Sequence, residues 1–227
     1  MQLSFGTFIP YKLVTSLILY KMKKTMNVLS VIALVAIVTT AFKPATAVSP
    51  ELEIGAAIPK AAVKMMDVSG KEVSLGDVKK EKGLLVIFSC NTCPFVKLSE
   101  SRIKESVEVA SKNNVGVIII NSNEAQRGDE DSFDEMKKYA TSQAFNCNYV
   151  VDKNSEIADA FGATRTPHCF KKKKKGLVYR GAIDDNVKDA TAAKEHYLKD
   201  AIEAVGKGTA IKTNSTKSVG CGIKRLS

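Results

Sequence analysis

Short unbroken apolar runs alternate along this chain with longer segments whose apolar residues recur every three to four positions. The clearest run, Leu84 to Phe88, is bounded by Gly83 and the cysteine at 90 and reads as a central strand. Pro94 then suits the first turn of a helix, where its missing N–H is no loss. Val96, Ile103, Val107 and Ala110 carry that helix until Asn113-Asn114 ends the pattern. Val115 to Ile120 predicts a second buried strand, Tyr149-Val150-Val151 a third and Leu177-Val178-Tyr179 another. Ser132 and Glu135 form a capping box that opens a helix burying Phe133, Met136, Tyr139 and Ala140. A short helix through Ile157 and Phe161 stops at Gly162. The final helix carries Tyr197, Leu198, Ala201, Ile202 and Val205, with Gly206 as the expected terminator. Ahead of all this, Ala61 to Leu75 predicts a small hairpin around Ser69-Gly70. Strands alternating with helices predict an α/β sandwich with helices on both faces. From residue 207 the composition turns to Lys, Thr, Ser and Gly, a tail expected not to pack.

The start of the chain is different in kind. Its first 47 residues hold five lysines and no acidic residue. Met22-Lys23-Lys24 supplies a charged start, Val28 to Phe42 an apolar core, and Ala45-Thr46-Ala47 a small-residue cleavage site, the layout of a secretory signal. Translation is expected to begin at Met22, since the preceding residues add nothing that export requires. The competing expectation is an uncleaved membrane tether, because the uncharged run from Thr25 to Phe42 approaches spanning length. The mature domain is then residues 48–206, followed by the tail 207–227, in an exported, periplasmic protein. Removing five lysines from the 34 basic residues leaves 29 against 24 acidic ones. So small an excess, without interleaved aromatics, argues against nucleic-acid binding.

The chemistry concentrates in SCNTCPFVK. Cys90 and Cys93 sit where a buried strand gives way to a helix, whose first turn offers unpaired N–H groups and a positive dipole end. A thiolate is favoured there, and a thiolate is the attacking species in disulfide exchange. A structural bridge across so small a loop would restrict the unfolded chain little. A zinc site needs two further ligands; there is no second CxxC, and the chain has only His168 and His196.

The order of these elements, with SCNTCPFVK, VIIINSNE, FGATRTPH, VYRGAIDDN and VGCGIK, resembles the thioredoxin fold. Within it, the chain looks like the AhpC/TSA-type redoxins, in particular exported bacterial thioredoxin-like proteins. The resemblance implies a central mixed β-sheet flanked by helices on both faces, with the hairpin as an N-terminal extension. It implies that Cys90 attacks, as the more exposed thiol at the helix start, and that Cys93 resolves by closing the disulfide. Pro167 would be a cis-proline facing the pair, presenting the Thr166 backbone to an incoming substrate strand. Substrates would be protein disulfides or thiols, electrons would come from a membrane-linked partner, and no cofactor is required. The chain departs from many thioredoxins in having Ser89 rather than Trp before the first cysteine, and no acidic residue in Leu84–Phe88; Lys97 is the expected thiolate stabiliser instead. Lys171–Lys175 falls where the family has an apolar strand, so either that strand is cut short or a reading error has altered the codons.

Two other activities use paired or clustered cysteines. A peroxiredoxin-like thiol peroxidase would use a Pro-x-x-x-Thr-x-x-Cys loop, which precedes neither cysteine here. A copper-binding module would recruit Cys169 or His168 as a further ligand. Cys147 and Cys169 are expected to be small buried apolar residues, and Cys221, between two glycines in the tail, to be passive.

Overall fold

In a computed structural model, the structure describes residues 49–226. The signal and the alternative tether, together with the start at Met22, lie outside the described residues. Among the described residues no helix is long and apolar enough to cross a membrane.

The core is a five-stranded sheet in the order β5-β4-β3-β7-β8. Its centre is β3 (Leu84–Ser89), buried at every position. A strand covered on both faces needs apolar side chains throughout, which is why its sequence does not alternate. To one side β3 pairs in parallel with β4 (Gly116–Asn121), which pairs in parallel with β5 (Asn148–Val151). To the other side it pairs antiparallel with β7 (His168–Lys173), which continues into β8 (Gly176–Gly181). The expected hairpin is β1 (Met65–Met66) against β2 (Glu72–Val73), followed by the short helix α1 (Leu75–Val78).

Successive residues of β3 point to opposite faces, so one strand feeds two cores. Leu85 and Ile87 join Val96, Ile103 and Val107 of α2 (Pro94–Lys112), Met136 of α3 (Phe133–Ser142), and Leu198 and Ile202 of α5 (Tyr197–Lys207). Leu84, Val86 and Phe88 join Leu75 of α1 and Ile157, Ala158 and Phe161 of α4 (Glu156–Phe161). Phe88, Phe161 and Phe170 meet edge to face, with centroids 5.2–5.7 Å apart. Each buried ring of this kind contributes about 1.5–3 kcal/mol.

Four expectations are corrected. The lysine run does not cut its strand short: β7 extends through Lys173, and Lys171 is fully buried within it. Its ammonium donates to the carbonyls of Lys172 (2.6 Å) and Lys82 (3.2 Å). Burial, with help from the charges of Lys173 and Lys172, lowers its pKa to about 7. Second, α5 ends not at Gly206 but at Gly208, whose φ of 76° is the left-handed cap conformation. Gly206 instead lets α5 approach the end of α2, since a Cβ there would lie 1.8 Å from Asn113 Oδ1. Third, Phe133 is only half-buried, with the Lys137 ammonium 4.4 Å from its ring centroid.

The fourth correction matters most. The tail from residue 207 packs back onto the domain. Asn214 and Thr216 bond the Arg180 backbone, and β9 (Cys221–Gly222) pairs antiparallel with β6 (Arg165–Thr166). Ile223 is buried, and Arg225 pairs with Asp159 at 2.7 Å. The domain therefore runs past residue 206 to the end of the described chain. Short polar residues and glycines fit such a segment because it is held by backbone hydrogen bonds rather than by an apolar stripe.

Candidate active site

At the end of β3 the chain turns through Asn91 and Thr92, and Cys93 becomes the N-cap residue of α2 with Pro94 in the first turn. The expected order of exposure is reversed. Cys90 is 1% exposed and Cys93 4%, so the second cysteine is the slightly more open one. Both meet the residue before the proline: Cys90 Sγ lies 3.4 Å from Thr166 Oγ1, and Cys93, as a thiol, donates to the Thr166 carbonyl at 3.2 Å. The Thr166–Pro167 bond is cis. The structure thus brings together Cys90, Cys93, Thr166 and Pro167.

The two thiols have opposite tendencies. A hydrogen bond from Cys90 favours a Cys93 thiolate above all; contacts from Cys221, the Val96 amide at the helix start and Thr166 add to it, against the cost of burial, and the pKa falls to about 4. Cys90 moves the other way, because the proton it shares with Cys93 stays on it, burial penalises its charge, and Asp131 is negative nearby. These influences favour one proton shared between the two sulfurs and lean the negative charge toward Cys93. Lys97 takes no part: its ammonium sits 4.3 Å from the centroid of the Tyr139 ring and 3.3 Å from Glu100.

Sequence reasoning missed a buried polar network that fixes the turn between the cysteines. Asp131 is fully buried and accepts from the Asn91 amide N–H (2.9 Å), Asn121 Nδ2 (2.7 Å) and Asn123 Nδ2 (2.8 Å). Tyr149 donates to Asn91 Oδ1 at 2.8 Å and accepts from Asn121 at 3.0 Å. The polar stretch Asn121-Ser122-Asn123, directly after an apolar strand, was its only trace in the sequence. The acidic residue sought in β3 is absent there, but Asp131 brings a carboxylate close enough to act on Cys90.

The remaining candidates separate. His168 and Cys169 are consecutive in β7 and so face opposite sides of the sheet, His168 bonded to Glu51 at 2.9 Å and Cys169 in the core beside α2. Among the described residues no group of three or more His, Cys, Asp or Glu is arranged to hold a metal ion. Cys147 is half-buried just ahead of β5. Cys221 is not remote: its Sγ lies 2.6 Å from Cys93 Sγ.

A mixed sheet with helices on both faces and two cysteines opening the helix after its central strand defines a thioredoxin-like redox fold. The chain matches the AhpC/TSA family over residues 54–186, more than half its length, and belongs to that family. Two solved structures resemble it over most of their length. A hypothetical protein from Sinorhizobium meliloti is 28% identical with a TM-score of 0.71, covering 79% of this chain and 98% of its own. An uncharacterized conserved protein from Geobacillus kaustophilus is 30% identical with a TM-score of 0.69, covering 77% of this chain and 93% of its own. No curated protein matches the chain.

Proposed function

We propose that the protein is a thiol–disulfide oxidoreductase acting on protein disulfides outside the cytoplasm. The observation that carries this reading is that Cys90 and Cys93 stand together at the start of α2 and both meet Thr166, at 3.4 Å and 3.2 Å. In this reading Cys93 attacks a substrate disulfide, forming a mixed disulfide and releasing one substrate thiolate. Cys90 gives up its proton and attacks Cys93 Sγ; the second substrate thiolate leaves, and the Cys90–Cys93 disulfide remains. Two electrons have passed from the cysteine pair to the substrate, and a membrane-linked donor would return them. The roles are the reverse of those the sequence resemblance implies, because Cys93 is both the more open and the more acidic thiol.

The test is a glutathione redox titration of the pair, with reduction of insulin disulfides followed in parallel. A reversible Cys90–Cys93 disulfide and catalysed insulin reduction are expected. A pair that never links, or stays linked against every reductant, overturns the reading. With Cys221, which lies 2.6 Å from Cys93, also replaced by serine, mixed disulfides that accumulate in Cys90→Ser and not in Cys93→Ser support the order of attack; the opposite pattern reverses it.

A further inference from the structure

The tail strand β9 pairs with the Arg165–Thr166 edge, which the oxidoreductase reading gives to a substrate strand. Cys221 pairs with Thr166 and Gly222 with Arg165, so the tail uses the backbone edge next to Pro167. The seat is built on both sides of the cysteine. Arg165 donates to the Gly220 carbonyl at 3.1 Å and Ile223 N–H to the Thr164 carbonyl at 3.1 Å. Lys224 N–H donates to Asn123 Oδ1 at 3.0 Å, and the Lys224 carbonyl accepts from Ala125 N–H at 2.9 Å. The tail is thereby tied to the same asparagine that binds Asp131. Gly220 passes so close to the Thr166 carbonyl that a Cβ would lie 2.1 Å from its oxygen. Only glycine admits the strand to this position.

This arrangement delivers a third thiol to the site. Cys221 Sγ approaches Cys93 Sγ to 2.6 Å, inside any ordinary non-bonded sulfur contact and near bonding reach. The strand contact sets Cys221 opposite Thr166, the residue that the oxidoreductase reading assigns to an incoming substrate strand.

We propose that Cys221 is a further catalytic thiol, which exchanges with Cys93 from a strand that occupies the substrate seat. This rests on the oxidoreductase reading. Starting from the Cys90–Cys93 disulfide, the Cys221 thiolate attacks Cys93 Sγ. The Cys93–Cys221 bond forms, the Cys90–Cys93 bond breaks, and Cys90 leaves as a thiolate that takes up a proton. The protein's oxidation level is unchanged, so no outside oxidant is consumed. The reverse attack by Cys90 returns Cys221. The exchange holds the two-electron oxidised protein in two interconverting forms, one with the tail covalently fastened over Thr166 and one with it free to be displaced by a substrate.

Peptide mapping of the oxidised full chain, with free thiols blocked in acid, tests this. Wild type is expected to yield both Cys90–Cys93 and Cys93–Cys221 linked peptides, and Cys90→Ser the second alone. Gly220→Val, which pushes the tail off Thr166, should lower the Cys93–Cys221 yield about tenfold, equivalent to about 1.4 kcal/mol. That variant should still reduce insulin, at the wild-type rate or faster. If Cys93–Cys221 is missing from wild type and from Cys90→Ser while Cys90–Cys93 titrates reversibly, the third thiol is overturned and the oxidoreductase reading stands. If Cys93 links to neither partner, both fall.

Discussion

Replacing Lys171 with methionine should stabilise the protein in mild acid and lose that advantage as the solution becomes alkaline. The lysine is fully buried, and its pKa falls from 10.5 to about 7. At about 1.4 kcal/mol per pH unit, keeping the ammonium charged in the folded protein costs about 5 kcal/mol. Methionine fills nearly the same volume without charge, but it abandons the Lys82 and Lys172 carbonyls that the ammonium satisfies. Those lost hydrogen bonds cost about 1–3 kcal/mol, leaving a net gain of about 2–4 kcal/mol below pH 7. The sign with pH follows from proton counting. Between about 7 and 10.5 the unfolded lysine is protonated while the folded one is neutral. Wild-type stability therefore rises across that window, and the variant lacks the rise. Above it only the carbonyl cost remains, so Lys171→Met ends as the less stable protein. Urea unfolding of both proteins, with reductant present, at several pH values between 6 and 11 measures the difference directly. A difference that does not change with pH, or a variant less stable than wild type at pH 6, would refute the reasoning.

Three further outcomes follow from the site and its supports. Alkylation of Cys93 in the reduced protein should be nearly level from alkaline pH down to about 5 and fall as the pH approaches about 4; a rate that instead climbs tenfold per unit through pH 7–9 marks an ordinary thiol. The same depressed pKa makes this group's contribution to stability complete above its unfolded value of 9.0 and lost as pH falls toward 4. Arg102→Leu should cost about 3–5 kcal/mol in denaturant unfolding, because it strands the buried Asp184 carboxylate 2.6 Å away and frees the Asn186 and Val187 carbonyls; a loss below about 1 kcal/mol would show the pair to be dispensable. Asp131→Asn turns an NH2 toward N–H groups that now meet a carboxylate, and should cost about 2–3 kcal/mol. It should also ease the upward push on the Cys90 pKa, to which the Asp131 charge adds after the proton shared with Cys93 and burial; a Cys90 alkylation rate unchanged by the substitution would remove Asp131 from the site.

What could be read from the sequence was what repeats locally. Leu84–Phe88 needed no partner to declare itself a central strand, and Val96, Ile103 and Val107 marked the buried side of α2 by spacing alone. The cysteine pair was equally plain, because its chemistry depends on two neighbours three residues apart. Contacts between distant segments left no such mark. Asp131 reaches Asn91 across 40 residues, and Cys221 reaches Cys93 across 128. The relative exposure of Cys90 and Cys93 is not legible for the same reason, since Thr166 and the tail pack against the pair only in the fold. The lysines of β7 misled in the other direction. A strand can admit Lys171 when two carbonyls receive its ammonium, and neither carbonyl is visible in a pattern of side chains.

Asp159 holds the two extremities of the described domain at once: its carbonyl accepts from the Ser49 amide at 3.3 Å, while its carboxylate takes Arg225 at 2.7 Å. Residues 49 and 225 are therefore close neighbours in space, and a short linker between them would close the domain into a ring without stretching a strand. The chain could then be reopened elsewhere, for instance at the exposed Lys174-Lys175 turn between β7 and β8, giving a circular permutant in which the tail cysteine becomes an internal residue.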